Sequence, residues 1–328
     1  MRTKTPINYF VGSLLLVALS TWPAPVTAQP WPARPIRVIV SQAAGGTPDI
    51  ICRLVTGRLS RALGQQIVVD NRPGSGNIIG AQAAARATPD GYNFFCATAA
   101  PLVSNPYTFK SLPYDPVRDF APVGMVAKIS FILLAHPSVP ARTLAELIAL
   151  DKAQPGKLAF ATDGPRNFSG MIAAWLNTLA GTRILQVPYA IMPIGMQDTL
   201  AGRTQLVILA VPSAAPFMKR GELRALAVSS AQRIPGYEEV PPIADTFPGF
   251  DFIGWFAMVA PAGTPLAIVQ RINSELDRAL KDPEIVQRLR DVGFYTDGAG
   301  TPGALSDFLR AERERWSRVV REIGIEPE

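Results

Sequence analysis

Four turns in this chain join an apolar, strand-like run to a helical pattern: residues 41–47, 71–77, 162–169 and 189–195. A helix starting at such a turn leaves its first backbone N–H groups without intrahelical partners, and those groups point past the carboxyl edge of the sheet. They carry partial positive charge. Each such end favours an anion by about 0.3 to 1 kcal/mol when exposed, and by more when desolvated. Glycines at 45, 46, 74 and 76 let the backbone approach a ligand closely. The first turn offers Gln42, Ala43, Ala44, Gly45, Gly46, Thr47 and Asp49 as candidate contacts, and the second offers Ser75, Gly76 and Asn77. Thr98 follows at the end of the next strand-like run. The third turn adds Asp163, Arg166, Asn167, Phe168 and Ser169, and the fourth adds Tyr189, Ile194 and Gly195. Two turns come from each half of the sequence, so if the halves are separate lobes all four meet in one cleft, where ligands of open α/β sheets bind.

Several of these residue types serve structure equally well. Asp49 suits the capping of a helix as much as the holding of a cleft water, and Arg166 suits a solvated surface as much as a ligand carboxylate. Phe168 and Tyr189 suit a core as much as a pocket wall. Gly45-Gly46 has neither the G-x-G-x-x-G spacing of a dinucleotide fold nor the G-K-[ST] of a phosphate loop, so no nucleotide cofactor is expected. There is no G-x-S-x-G elbow, no paired carboxylates stand out, and the single histidine, His136, has no evident nucleophile. A secreted α/β hydrolase is therefore the disfavoured rival. No Cys/His cluster suggests a metal.

The elements that must hold these turns alternate along the chain. Ile36–Val40 is predicted as a buried strand. Ile51, Leu54, Val55, Leu59 and Leu63 then recur at helical spacing, with Thr47 as N-cap, Pro48 in the first turn and Gly64 at the end. Strands at 67–69, 93–97, 131–134, 158–161, 184–187, 206–209 and 223–228 interleave with helices around 78–87, after Thr143, around Met171 to Leu179 and before Gly202. Three helices close the chain, opened by Thr264-Pro265, Asp282-Pro283 and Thr301-Pro302. This alternation predicts an α/β fold with largely parallel sheets.

The chain begins with Arg2 and Lys4, an apolar run at 10–19, and small residues at 26–28, the pattern of a cleavable secretory leader over 1–28. The apolar run is too short to span a bilayer of roughly 30 Å. The remaining length favours two domains. With 48% hydrophobic and 18% charged residues the composition is globular. The net charge of +6 drops to about +4 without Arg2 and Lys4, and the cations form no concentrated face, so nucleic acid is not an expected partner. Cys52 and Cys96 each lie in an apolar segment, which suits two separate buried thiols better than a disulfide.

Several motifs together resemble one family. They include Pro35-Ile36-Arg37-Val38-Ile39-Val40, Ala44-Gly45-Gly46-Thr47-Pro48-Asp49, Val69-Asp70-Asn71-Arg72-Pro73-Gly74-Ser75-Gly76, Pro89-Asp90-Gly91-Tyr92, Leu112-Pro113-Tyr114-Asp115-Pro116, Val187-Pro188-Tyr189 and Ala260-Pro261-Ala262-Gly263-Thr264-Pro265. From about Trp31 onward the chain resembles the Bug, or TctC-like, substrate-binding proteins of tripartite tricarboxylate transporters. The resemblance implies a type II periplasmic-binding-protein fold: two α/β lobes, with a ligand cleft between them, joined by crossings near 123–130 and 250–256. Lobe 1 would hold 29–126 and 254–328, and lobe 2 would hold 127–253. It also implies a periplasmic monomer without cofactor or metal, which takes a carboxylate through the first two turns and ordered waters. Its partners would be membrane permease subunits or, alternatively, the periplasmic domain of a sensor kinase. The chain departs from the family pattern at Gln42, where an aromatic is usual. The 163–171 turn is not serine-rich, the 189–194 turn lacks lysine and its glycines, and Gln205 replaces an aspartate. These departures lie mostly in the second lobe, so a monocarboxylate with an apolar or aromatic body is expected in preference to citrate.

Overall fold

Ile36, Val38, Ile39 and Val40 are all buried, as a strand covered on both faces requires. The computed structural model describes Met1, residues 31–189 and residues 191–327. The expected leader apart from Met1, and Ala190 of the fourth turn, lie outside the described residues. Pro32–Glu328 forms one compact unit.

The first strand, β1 (Ile36–Val40), leads into α1 (Thr47–Leu63), β2 (Ile67–Asn71), α2 (Ile78–Ala85), β3 (Asn93–Thr98), the short α3 (Asn105–Thr108) and β4 (Phe120–Ile129). Past Ser130 come β5 (Phe131–Ala135), α4 (Leu144–Ala153), β6 (Ala159–Thr162), α5 (Phe168–Ala180) and β7 (Leu185–Pro188). They are followed by α6 (Met192–Leu200), β8 (Leu206–Ala210), α7 (Val211–Lys219) and β9 (Arg224–Val228). The last elements are β10 (Gly254–Pro261), α8 (Leu266–Leu280), α9 (Pro283–Asp291) and α10 (Pro302–Glu322).

The strands form two five-stranded sheets of matching order, β2-β1-β3-β10-β4 and β7-β6-β8-β5-β9. In each sheet three strands are parallel neighbours, and the fourth in the order runs against both of its own neighbours. That reversed strand is the one the chain enters as it passes between sheets: β5 follows β4, and β10 follows β9. Two lobes therefore share two crossings, and each lobe is completed by a strand from the return path. β4 pairs with β10 from Phe120 to Ile129. That ladder runs on past residue 126, the expected lobe boundary, to Ile129.

Two helices were not expected, the four-residue α3 and the longer α7. α7 begins Val211-Pro212 and contains Pro216, and two prolines argue against a helix on propensity. Pro212 sits in the first turn, where no N–H is needed. Val211 and Ala214 are buried against β5 and β8, so packing outweighs the cost of Pro216. Cys52 and Cys96 are both buried and unbonded, as separate thiols. They are also neighbours: a hydrogen bond with Cys96, then burial, holds the Cys52 thiol well above its ordinary pKa.

Candidate functional site

The start of α1 differs from expectation in one respect with chemical consequences. Its N-cap is Gly46, not Thr47, in extended backbone at φ −72° and ψ 162°, and no side chain caps the helix. A threonine cap would have satisfied one of the first free N–H groups. A glycine cap leaves them without a side-chain acceptor. Asp49 fixes the loop from behind. Its carboxylate accepts from Gly45 N–H, Arg53 Nε and Asn71 Nδ2, each at 2.9 Å. Asn71 also donates to the Gln42 carbonyl at 3.0 Å. The first two turns are thus tied together through Asp49 and Asn71. Burial works to raise the Asp49 pKa, but Arg53, the Gly45 amide and Asn71 bring it below the ordinary carboxylate value.

The second turn is strained. Ser75 (φ 46°), Gly76 (φ 60°) and Asn77 (φ 73°) are successive left-handed residues, and Ser75 and Asn77 are the only non-glycine residues with positive φ among the described residues. Each such residue costs roughly 1–2 kcal/mol. Asn105 Nδ2 steadies the loop by donating to the Gly76 carbonyl at 2.9 Å. Asn77 is the N-cap of α2 and makes no side-chain cap bond, so this helix start is also open. A run of left-handed backbone followed by a helix start turns several N–H groups the same way, a geometry suited to anions.

The third and fourth turns finish their helix starts differently. At α5, Asp163 Oδ1 accepts from Ser169 N–H at 3.1 Å, from Gly170 N–H at 3.3 Å, and from the Ser169 hydroxyl. The protein's own carboxylate therefore fills that helix end. Burial holds the Asp163 pKa above the ordinary carboxylate value despite the Ser169 and Gly170 bonds. At α6, the Tyr189 ring lies against Gly195, and the Tyr189 hydroxyl donates to Asp198 at 2.8 Å.

A cavity of about 370 Å³ lies where three of the four turns meet. Gln42 and Thr47 from the first turn, Asn77 from the second and Thr98 from the end of β3 form one side. Arg166, Asn167 and Phe168 from the third turn form the opposite side. Ala43, Ala44, Gly45, Gly46, Asp49, Ser75 and Gly76 shape the first-lobe turns without lining the cavity, as do Asp163 and Ser169 in the second lobe. Tyr189, Ile194 and Gly195 do not line it, so among the described residues three of the four expected turns are found on its wall. The fourth turn's aromatic instead packs on the far-face core of its own sheet. Gln42 Oε1 and Thr98 Oγ1 are buried without any hydrogen-bond partner. Arg166 is engaged, donating to the Glu326 carbonyl at 3.0 Å.

The remaining wall comes from residues that turn motifs do not reveal. Ile129, Phe131, Trp255 and Phe256 stand on the crossing strands, and Trp316 stands on α10. Phe168 stacks on Phe131 with centroids 5.2 Å apart, and meets Phe252 and Trp316 edge-on at 5.5 and 6.0 Å. The Trp255 N–H is turned away and donates to buried Glu312 at 3.1 Å. Burial raises the Glu312 pKa against the pull of Arg315 and that indole bond. The crossing strand also separates the two sides of the molecule. Ile129 and Phe131 face this cavity, while Lys128 and Ser130, one step out of phase, face cavities of about 360 and 430 Å³ on the other side. A cavity of about 550 Å³ against β9 is formed wholly by residues 137–241 and has no open helix start on its wall. Among the described residues no group of three His, Cys, Asp or Glu side chains could hold a metal, and no helix is long and apolar enough to cross a membrane.

Comparison with known proteins shows which family and fold this chain shares. The sequence profile of the tripartite tricarboxylate transporter family receptor matches residues 51–325. The protein BugT of Bordetella pertussis is 33% identical, with 94% of this chain and 95% of that protein covered. Among solved structures, Rpa4515 of R. palustris with adipate superposes with a TM-score of 0.75 at 32% identity, covering 91% of this chain and all of that one. MatC of Rhodopseudomonas palustris with bound malate gives 0.70 at 28% identity, covering 88% of this chain and all of that one.

Proposed function

Since the chain belongs to the tripartite tricarboxylate transporter receptor family, a family of substrate-binding proteins rather than enzymes, we propose that it captures a small carboxylate with an apolar or aromatic body in the periplasm and presents it to membrane permease subunits. The observation that carries this reading is the two-sided cavity, with neutral polar donors of the first lobe facing a wall of aromatic rings. The open starts of α1 and α2, together with the unpartnered Thr98 hydroxyl, supply hydrogen bonds for a carboxylate. The rings of Phe131, Phe168, Trp255 and Trp316 take up an apolar body, for which burial is worth about 25 cal/mol per Å². Adipate and malate, found in the two related structures, carry the same head group.

Only the closed arrangement touches a ligand from both lobes, so binding shifts the open–closed equilibrium toward closure. The closed shape is then the signal a permease reads. A thermal-shift screen followed by calorimetry tests the reading. Benzoate-like and medium-chain acids are expected to raise the melting temperature and citrate is not. Tight citrate binding with no response to apolar acids would overturn it.

A further inference from the structure

We propose that Asp163 determines specificity at this site: it stands in for the second carboxylate of a dicarboxylic acid and so restricts the ligand to acids with one charged end. The inference rests on the carboxylate-binding reading above and adds to it how the far end of the ligand is selected. In an open α/β lobe the helix start at the strand's carboxyl end is the natural seat for an anion. At α5 that seat is taken. All three bonds to the carboxylate end on one oxygen, Oδ1, from the Ser169 and Gly170 amides and the Ser169 hydroxyl. The loop is locked in that position. Ser169 Oγ accepts from Asp163 N–H at 2.8 Å, Asn167 Nδ2 donates to the Asp163 carbonyl at 2.7 Å, and the Gly164 carbonyl lies so close over Gly170 that a methyl group there would sit 2.0 Å from it.

Beside this cap, Arg166, Asn167 and Phe168 of the same turn line the cavity. A ligand's far end therefore meets an aromatic face backed by a fixed negative charge in a partly dry site. There a second carboxylate would face repulsion from Asp163 and lose hydration, and the polar groups of the third turn on that wall are already engaged, Arg166 with the Glu326 carbonyl and Asn167 with the Asp163 carbonyl. The contrast with α1 and α2, whose starts have no side-chain cap, gives the site one end with open helix starts and one end whose helix start is already filled.

Matched acids of equal chain length test this on the whole protein by calorimetry. Hexanoate and monomethyl adipate are expected to bind at least about tenfold tighter than adipate. In Asp163→Asn, which keeps the Oδ1 acceptor and removes the charge, adipate is expected to gain about tenfold while hexanoate stays within about twofold. Adipate binding to the wild-type protein as tightly as hexanoate would overturn the inference. If that affinity then vanished in Arg166→Gln, Arg166 would be the second seat instead. Equal loss of both acids in Asp163→Asn would make Asp163 only a helix cap and would also overturn it. Should that variant fail to fold, the wild-type ratio of monomethyl adipate to adipate decides alone. Binding of none of these acids would sink the carboxylate reading itself, an outcome distinct from a reversed preference.

Discussion

The two lobes have sheets of the same strand order, yet the helix starts that follow their site turns are finished differently. In the first lobe, α1 begins at a glycine and α2 begins after three left-handed residues, and neither start has a side-chain cap. In the second lobe, α5 is capped by Asp163, and the start of α6 is covered by Tyr189 on Gly195. A helix start costs nothing to cap and something to leave open, since unsatisfied N–H groups in a partly buried site are unfavourable. The lobe that leaves its ends open also carries the strain at Ser75 and Asn77. Strain of that kind persists where surrounding structure enforces it, and it clusters at binding sites. On the proposed reading, the open starts of α1 and α2 grip the charge, and rings from both lobes, Phe131 and Phe168 with Trp255 and Trp316, enclose whatever is attached to it.

The largest test of this contrast is Gly46→Val. A Cβ at Gly46 would approach the Ala43 carbonyl at 3.2 Å while the backbone, at φ −72°, tolerates it. The substitution therefore crowds the open helix start without forcing the fold. Affinity for any carboxylate ligand is expected to fall by about a hundredfold, or roughly 2.7 kcal/mol, with far-ultraviolet circular dichroism unchanged. Unaltered affinity would break the assignment of charge-gripping to this lobe. The matching change in the other lobe, Phe168→Ala, removes a ring that stacks on Phe131. It should weaken an aromatic acid by about tenfold, consistent with 0.5–1.5 kcal/mol for a ring pair plus lost area. Acetate, too small to reach the ring, should bind as before. If both acids weaken alike, the division of labour between the lobes is wrong.

A smaller effect is expected on the side of the crossings away from the cavity. Gly293, after α9, lies so close to Pro212 of α7 that a Cβ would fall 1.5 Å from the proline ring. This contact joins the two lobes behind the hinge. Gly293→Ala forces the back of the lobes apart, which turns the cavity side toward closure. The expected result is a smaller radius of gyration in ligand-free X-ray scattering and affinity higher by about threefold. Looser scattering together with weaker binding would show that the contact favours the closed form.

How much of this was legible in the residues follows from where each feature originates. The alternation of elements, the first two turns and Gly64 ending α1 follow from local spacing and were readable. Gly46 rather than Thr47 as the cap was not, because threonine's preference for that position is a statistical tendency that the Asp49–Asn71 tie overrides. α7 was hidden by Pro212 and Pro216. The aromatic wall was hidden for a different reason. Phe131, Trp255 and Trp316 are far apart in sequence and meet only because β5 and β10 reverse between sheets. The one available signal was that Trp316 falls on the apolar face of the last predicted helix. Asp163 was readable as a candidate contact. Its bonds to Ser169 and Gly170, six and seven residues on, depend on a loop folded back over the helix start, which no periodicity reports.

The subtlest comparison sets Asp49 against Asp163, the carboxylates beside the two kinds of helix start. Asp49 is held below the ordinary carboxylate pKa, so its charge stabilises the fold above the unfolded value near 3.8, and that contribution is lost as pH falls through the depressed folded value. Asp163 is held above it by burial, so the sign reverses: its contribution is complete below the unfolded value and is lost as pH rises through the raised folded value. At pH about 7, Asp49→Asn should therefore destabilise by about 1.5–3 kcal/mol, the scale of hydrogen bonds to a charged group. Asp163→Asn, whose Oδ1 keeps every acceptor contact, should be neutral or slightly stabilising. Denaturant midpoints taken between pH about 3 and 7 should show the Asp49→Asn deficit shrinking toward the acid end as wild-type Asp49 itself protonates. Any Asp163→Asn gain should vanish over the same range. Equal deficits in the two variants at neutral pH would mean that both carboxylates act simply as caps. The difference between the open start of α1 and the filled start of α5 would then have no electrostatic basis.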